Sequence, residues 1–410
     1  MVSRRILLGG ALSLAAARPS LARPPSLDPD ADGEALWAQI QGAFDVDRTV
    51  INLNSGGCSP APRAVHDAYV RDLRRANRLP PRVLWREQEP EIEGVRTELA
   101  REAGCDPEAL AITRNASEAL QIAQLGIDLK PGDEVIVSNL EYPRMVNTWA
   151  QRVRRDGIVV RTVPLSPSLS DPQQLVDAYA AAAGRRTRVV HVSHVPFMTG
   201  QVLPVAALCD WARQRGVFSI VDGAHAFAHV PVDVTEIGCD YYATSLHKWL
   251  MAPIGTGFLY VRPDRIAETW ALQPAPAARD GDIRKFEAIG THPAAGHNAI
   301  AQALSFHRQL GLARKNARLR RLRARWSDAL RGLPGVVLHT PDDPRYGSGI
   351  GLVDLGGLPR QWVEALWAER ILVQGINPGP FKGVRVSPNV FTTTGEIDRF
   401  VAVVRGLAQK

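Results

Sequence analysis

The sequence predicts an α/β fold, with a large domain built on a mostly parallel sheet and a smaller α+β domain after it. Three observations carry this. From residue 50 to residue 261 short β-branched runs alternate with longer amphipathic ones, and such alternation implies right-handed crossovers and a sheet covered on both faces. A stretch rich in Pro and Ala at 273–281 then breaks the pattern. Beyond it lie a long helix pair and a few strands without intervening crossover helices, the pattern of a separate α+β unit.

In chain order, a Pro-rich segment at 23–30 precedes a helical stretch at 35–44 and a short extended run at 50–54. Strand and helix then pair at 110–113 with 117–125, 134–138 with 144–154, and 187–193 with 205–215. Further strands fall at 217–221, 241–244 and 257–261. The second unit has helices at 293–311 and 312–330 and strands at 336–339, 349–354 and 384–387. Its last helix opens on Thr393, three residues before Glu396, which is the spacing of a capping box. Ile397, Phe400, Val401 and Val404 form the apolar stripe of that helix. There is no internal repeat and no low-complexity segment.

The 410 residues are 45% hydrophobic and 22% charged, with 34 Gly and 30 Pro, which excludes a disordered, collagenous or coiled-coil chain. A chain this long buries roughly three quarters of its extended surface and divides readily into two domains. The 49 Lys and Arg against 42 Asp and Glu give +7. Arg4, Arg5 and Arg18 lie in the first 22 residues, so the remainder carries 46 against 42, or +4. An excess this small argues against a nucleic-acid partner. The densest basic run, 314–325, alternates with Leu312, Leu319, Leu322, Trp326 and Leu330 at helical spacing and reads as a solvated helix face. Cys58, Cys105, Cys209 and Cys239 are scattered, with no C-x-x-C pair and no zinc spacing, so no metal site is expected. Their pairing depends on separations that a sequence does not give.

Ser3-Arg4-Arg5 followed by an apolar run at 6–17 and Ser20-Leu21-Ala22 has the three parts of an export signal. The run is 12 residues, short of the roughly 20 needed to span a bilayer, and no other segment predicts membrane insertion. The Arg pair resembles a twin-arginine signal. That resemblance implies handling by the twin-arginine export machinery, cleavage after Ala22 and a periplasmic location, with the protein exported folded.

The chemistry concentrates at two strand ends. The strand Val217-Phe-Ser-Ile-Val ends in Asp222-Gly-Ala-His225, and the next ends in Thr244-Ser245-Leu246-His247-Lys248-Trp249. In a parallel sheet the carboxyl ends of the strands form the ligand crevice, so Asp222 and Lys248 share it. A crowded lysine loses its proton readily and forms a Schiff base with an aldehyde. Pyridoxal phosphate supplies such an aldehyde and needs a carboxylate at its ring nitrogen. Its phosphate needs an anion cradle, which the helix start at Asn115-Ala116-Ser117-Glu118 offers. Tyr142, in Glu141-Tyr142-Pro143, puts an aromatic ring at the same sheet edge.

These runs, with Pro231-Val-Asp and the continuation from Leu250 through Gly257-Phe-Leu-Tyr-Val261, resemble the class V aminotransferase family of fold type I pyridoxal-phosphate enzymes, and within it the isopenicillin N epimerase branch. The resemblance spans 53–400. It implies a seven-stranded sheet in the large domain, with divisions at 1–22 (signal), 23–50 (N-terminal arm), 51–290 (large domain) and 291–410 (small domain). It makes Lys248 the Schiff-base lysine, Asp222 the partner of the pyridine nitrogen and His225 the residue beside the ring hydroxyl. Ala116, Ser117, Ser245 and His247 match phosphate-binding positions, with Ala116 standing where many relatives have Thr. Tyr142 matches the stacking aromatic, and Asn54 and Arg385 the substrate site, Arg385 taking the α-carboxylate. Gly290-Thr291 matches the segment that reaches the neighbouring subunit's phosphate, which implies a homodimer with shared sites.

Two departures narrow the activity. Desulfurases of this family use a cysteine shortly before the carboxylate-binding arginine, and no Cys follows Cys239. The Asn that those relatives carry near the substrate carboxylate falls on Phe197. The expected function is aminotransferase-type chemistry on an amino acid or amino-acid-bearing metabolite. Epimerisation and C–S or β-elimination are the alternatives, and a non-catalytic protein that retains the fold for binding is the more distant one.

Overall fold

The computed structural model describes residues 33–167, 169, 171–377 and 379–408. The expected signal at 1–22 and the first part of the arm lie outside the described residues.

A first short strand, β1 (Ile51–Asn52), precedes the large sheet. That sheet comprises β2 (Leu110–Thr113), β3 (Glu134–Ser138), β4 (Val159–Val163), β5 (Thr187–Ser193), β6 (Phe218–Asp222), β7 (Tyr241–Ser245) and β8 (Gly257–Val261). Their spatial order is β2-β8-β7-β6-β5-β3-β4. The five strands from β7 to β4 run parallel, whereas β8 lies antiparallel to both β7 and β2.

Successive residues of each strand face opposite layers, and the burial follows that rule. Ile136, Val190, Val192 and Val221 join one apolar cluster with the helices Glu89–Ala103, Val205–Arg213 and Ile300–Leu310. Val135, Val137, Val189 and Ile220 join another, with Ala116–Gly126 and Pro143–Asp156. Because both faces are covered, these strands read as continuous apolar runs. The edge strand β4 is the exception: its residues are mostly exposed, and Arg161 on it pairs with Glu134 of β3 at 2.7 Å, a charged edge of the kind that resists further strand addition.

The second unit has the strands β9 (Val337–Leu338), β10 (Gly351–Asp354), β11 (Ile371–Leu372), β12 (Gln374–Ile376) and β13 (Gly383–Val386). Four of them form an antiparallel sheet in the order β12-β13-β10-β9, while β11 pairs in parallel with β1. Trp326 and Phe400, from the helices Leu312–Leu330 and Thr394–Ala408, pack edge to face over this sheet. The capping box forms as expected: Thr393 Oγ1 accepts from the Glu396 amide at 3.1 Å, and Glu396 Oε2 accepts from the Thr393 amide at 2.7 Å. Packing crosses residue 290 in both directions. Leu53 belongs to the core of the smaller sheet, and Ile300, Ala303 and Leu304 to that of the larger one.

The basic helix corrects the reading of 314–325 as a solvated face in part: Arg314, Arg321 and Arg325 are exposed as expected, and the other basic residues are not. Lys315, Arg318 and Arg323 are buried. Arg318 pairs with Glu34 at 2.5 Å and Arg323 donates to the Pro341 carbonyl at 2.6 Å, while the exposed Arg325 is matched by Asp398 at 2.6 Å. Leu319 of this helix joins the core of the larger sheet, and Leu322 and Trp326 join that of the smaller, so the helix packs against both. The described cysteines are all free thiols.

Candidate active site

The carboxyl ends of β3, β5, β6 and β7 and the start of the helix Ala116–Gly126 surround one cleft of about 370 Å³, within the size range of small-molecule sites. Asp222 ends β6 and is buried there. Its Oδ1 accepts from the Ala224 amide at 2.9 Å, and the other carboxylate oxygen has no hydrogen bond among the described residues. Burial raises its pKa, opposed by that amide bond and by the positive charge of Lys248. Gly223 is required beside it, because a Cβ would lie 2.2 Å from the Tyr242 ring.

Lys248 lies three residues beyond β7. Its Nζ is 3.0 Å from His225 Nε2. Burial pulls the Lys248 ammonium down to about 8; Asp222 opposes the shift and Arg385 adds to it. Burial and the charges of Lys248 and Arg385 hold His225 neutral, far below the usual imidazole range.

The anion cradle forms at the helix start. Asn115 caps the helix, its Oδ1 accepting from the Glu118 amide at 2.9 Å. Ser245 Oγ accepts from the Ala116 amide at 2.9 Å, which ties β7 to the cradle. Gly257 permits this approach, since a Cβ there would lie 2.7 Å from Asn115 Cα. The Ser117 hydroxyl has no protein partner among the described residues and lines the cleft with His247. His247 Nδ1 is 3.2 Å from the Thr256 carbonyl, which places the ring proton on Nδ1 and leaves Nε2 as the free nitrogen. Burial lowers its pKa to about 4.

The remaining wall comes from the second unit. Arg385, on β13, is buried. Its Nη2 donates to Asn54 Oδ1 at 2.7 Å and its Nη1 to the Phe197 carbonyl at 3.2 Å, while Nε has no partner among the described residues. Asn54 is held beside it by a parallel bridge to Ser387. Among the described residues no carboxylate pairs with Arg385, and burial brings its pKa down to about 10, still cationic at neutral pH. A buried guanidinium lacking its counter-ion is costly, and its fork suits a carboxylate. Tyr142 stands at the cleft, its ring 5.5 Å from that of Phe197 at 80°.

The chain therefore brings Ala116, Ser117, Tyr142, Asp222, His225, Ser245, His247 and Lys248 to one cleft. Asn54 and Arg385 adjoin it through Phe197. Thr291 lines a different cleft, with Trp85, Arg279 and His292. Four residues carried no role on sequence grounds: Ser138, Glu141, Ser193 and Trp249. Ser193 ends β5 opposite Asp222, and the strand-end rule that selected Asp222 would have found it. Its hydroxyl and that of Ser138 bond the buried Glu141 carboxyl at 2.6 and 2.5 Å. Trp249, fully buried, donates from its indole to His225 Nδ1 at 3.4 Å, and nothing in the sequence separates it from an ordinary core residue.

A carboxylate with one open oxygen, a lysine of lowered pKa and a hydroxyl and imidazole cluster at a helix start match the ring nitrogen, aldehyde and phosphate of pyridoxal phosphate. The residues fit that group.

Residues 51–399 match the family model described as Aminotransferase class-V. Isopenicillin N epimerase of Streptomyces clavuligerus is 35% identical over 395 residues, covering 91% of this chain and 98% of the relative. Isopenicillin N epimerase of Amycolatopsis lactamdurans is 33% identical over 406 residues, covering 91% and 99%. Among solved structures, a lysine-to-alanine mutant of C-DES, with glycine covalently linked to its PLP cofactor, superimposes with a TM-score of 0.80. It is 24% identical, with 89% of this chain and 98% of that one covered. The fold is that of the fold type I enzymes. The chain belongs to the class V aminotransferase family, and pyridoxal phosphate is its cofactor.

Proposed function

We propose that the chain exchanges the α-proton of an amino acid or amino-acid-bearing metabolite and that the reaction is epimerisation. The observation that carries the amino-acid reading is the buried Arg385, without a carboxylate partner among the described residues and close enough to Lys248 to depress its pKa. Bound pyridoxal phosphate withdraws electrons from the substrate α-carbon and makes its proton labile. Lys248 would hold the aldehyde carbon, Asp222 the ring nitrogen, and Ser117, Ser245 and His247 the phosphate, with Tyr142 against the ring. Arg385, its fork steadied by Asn54 and the Phe197 carbonyl, fixes the substrate carboxylate and hence the direction of the Cα–H bond. Once released, the Lys248 amine, with a pKa lowered toward neutrality, would take the proton from one face of Cα, and inversion follows when a proton from solvent is delivered to the opposite face.

The extensive likeness to two isopenicillin N epimerases moves epimerisation ahead of the aminotransferase chemistry expected from sequence. It supports a substrate whose amino acid is one end of a larger molecule. The family also supports a homodimer in which Thr291 reaches the partner's phosphate, and the N-terminal sequence supports twin-arginine export with removal of 1–22 and action in the periplasm. The mature N-terminus and mass of the periplasmic protein check both.

The reaction is tested by incubating loaded protein with a panel of L-amino acids and small peptides in D₂O. Deuterium at Cα with inversion of configuration supports the reading. Conversion of the cofactor to its amine form indicates transamination, and release of ammonia with a keto acid indicates elimination; either overturns epimerisation. A protein that develops no visible absorption with pyridoxal phosphate, or a Lys248→Ala variant that keeps it, overturns the site assignment.

A further inference from the structure

Behind Lys248 lies a buried network that the proposed chemistry leaves unexplained. Trp249 is fully buried, and its ring stacks on His229 with centroids 3.8 Å apart and planes at 24°. Both nitrogens of His229 are engaged: Nδ1 is 2.9 Å from the His225 carbonyl, and Nε2 accepts from the Gly349 amide at 2.9 Å. The basic helix closes the network from the other side. Asn316 donates to the His229 carbonyl at 2.8 Å, and the wholly buried Lys315 donates to the Trp249 carbonyl. The indole is thus held on its ring face and at its backbone, and its N–H meets His225 Nδ1 at 3.4 Å.

An indole N–H only donates, so His225 Nδ1 must accept. A neutral imidazole that accepts at one nitrogen carries its proton on the other. With Nδ1 accepting, that proton belongs on Nε2, 3.0 Å from Lys248 Nζ, and the bond runs from His225 to the lysine nitrogen once the ammonium, lowered to about 8, has lost its proton. In the opposite tautomer Nε2 would accept, and a proton on Lys248 would be favoured. The charged and titratable groups bearing on this pair are Asp222, Arg385 and Cys58 around Lys248, and Lys248, Arg385 and His229 around His225.

We propose that Trp249 is a positioning residue whose indole N–H fixes the Nε2–H tautomer of His225, so that the imidazole donates to the Lys248 nitrogen and keeps it free of its proton. Lys315 and His229 anchor the ring that does this. The inference rests on the proposed roles of Lys248 and His225, but the indole contact is particular to Trp249.

The test uses the full chain loaded with pyridoxal phosphate. Ring ¹⁵N shifts of His225 in the wild-type protein should show Nε2 protonated and Nδ1 bare; the reverse overturns the proposal. Trp249→Phe keeps a ring on His229 and removes the N–H. The pH midpoint of its visible absorption change should move upward, with the proton equilibrium changing about threefold to tenfold, the worth of one hydrogen bond. A midpoint within twofold of wild type in a folded variant overturns the proposal. Should Trp249→Phe not fold, benzothienylalanine at 249 keeps the indole shape without the N–H and is read in the same way. Visible absorption that survives Lys248→Ala would instead show that the cofactor assignment, and not the role of Trp249, is wrong.

Discussion

Replacing Arg385 with Met tests whether its buried charge serves the substrate or the fold. In the protein alone the guanidinium donates to Asn54 Oδ1 and the Phe197 carbonyl and meets no carboxylate. Its removal forfeits two charge-assisted hydrogen bonds, about 1.5–3 kcal/mol each. It also removes an uncompensated buried ion, whose effective desolvation cost is roughly several kcal/mol. These effects oppose each other, so unfolding free energy should change by no more than about 2 kcal/mol. Binding has no such cancellation. A substrate carboxylate left buried without its partner costs about 2–5 kcal/mol, which at ~1.4 kcal/mol per tenfold is roughly 30-fold to several thousandfold in affinity. The assay pairs urea denaturation of Arg385→Met with titration of its cofactor absorption by amino acids and, in parallel, by the corresponding amines. Affinity for amino acids should collapse while affinity for amines barely moves. Amino-acid affinity within threefold of wild type, or a loss of stability as large as the loss of binding, refutes the assignment.

Three further outcomes follow from other buried groups. Lys315 has its pKa lowered by burial to about 7 against about 10.4 in an unfolded chain. The unfolded state therefore binds more protons between those values, and stability should rise with pH across that window by up to roughly 4 kcal/mol; Lys315→Met should abolish the rise in urea midpoint between pH 7 and 10. Glu141 has the opposite sign: burial raises it to about 7, so from about pH 4.3 upward the folded state holds the extra proton. Stability should fall by up to roughly 3 kcal/mol by pH 7, and Glu141→Gln should flatten that slope in the same denaturation series. His247, neutral without cofactor, should gain a proton when the phosphate arrives beside Nε2. Calorimetric titration with pyridoxal phosphate in buffers of differing ionisation enthalpy should show proton uptake at pH 7 that His247→Gln removes.

The legible part of the molecule was whatever a local pattern encodes. Asp222 and Lys248 were visible because polar residues end apolar runs, and strand order then carries those ends to one crevice. The Thr393–Glu396 box was visible because both partners lie within one turn. Arg385 looked like any arginine on a strand, since its meaning comes from Asn54, 331 positions away. The buried side of the basic helix was missed for the same reason. Helical periodicity tells which residues share a face, but not that Glu34, 284 positions from Arg318, closes over it. The edge strand β4 escaped because its exposed, charged residues dilute the apolar run that marked the central strands. Trp249 was hidden by its type, since a large aromatic beside an active lysine is read as packing until its N–H is seen to have an acceptor.

The electrostatics also bear on how Lys248 would serve the proposed reaction. Lys248 follows a strand of the larger sheet and Arg385 lies on a strand of the smaller, yet the positive charge of Arg385 depresses the Lys248 pKa. A substrate carboxylate on Arg385 cancels that charge locally and so raises the proton affinity of Lys248. Without substrate the lysine is pushed toward the free amine, the form that bonds to an aldehyde. With substrate held and the amine released, the same lysine binds a proton more strongly, as a base must if it is to take one from Cα. Neither change requires the chain to move: the ligand's own charge resets the lysine between its two tasks. The proposed His225 hydrogen bond, fixed by Trp249, would favour the free amine throughout and so oppose complete capture of the proton. A lysine held between these two influences could both take and give up a proton, and the proposed epimerisation further requires that the returning proton reach the opposite face of Cα.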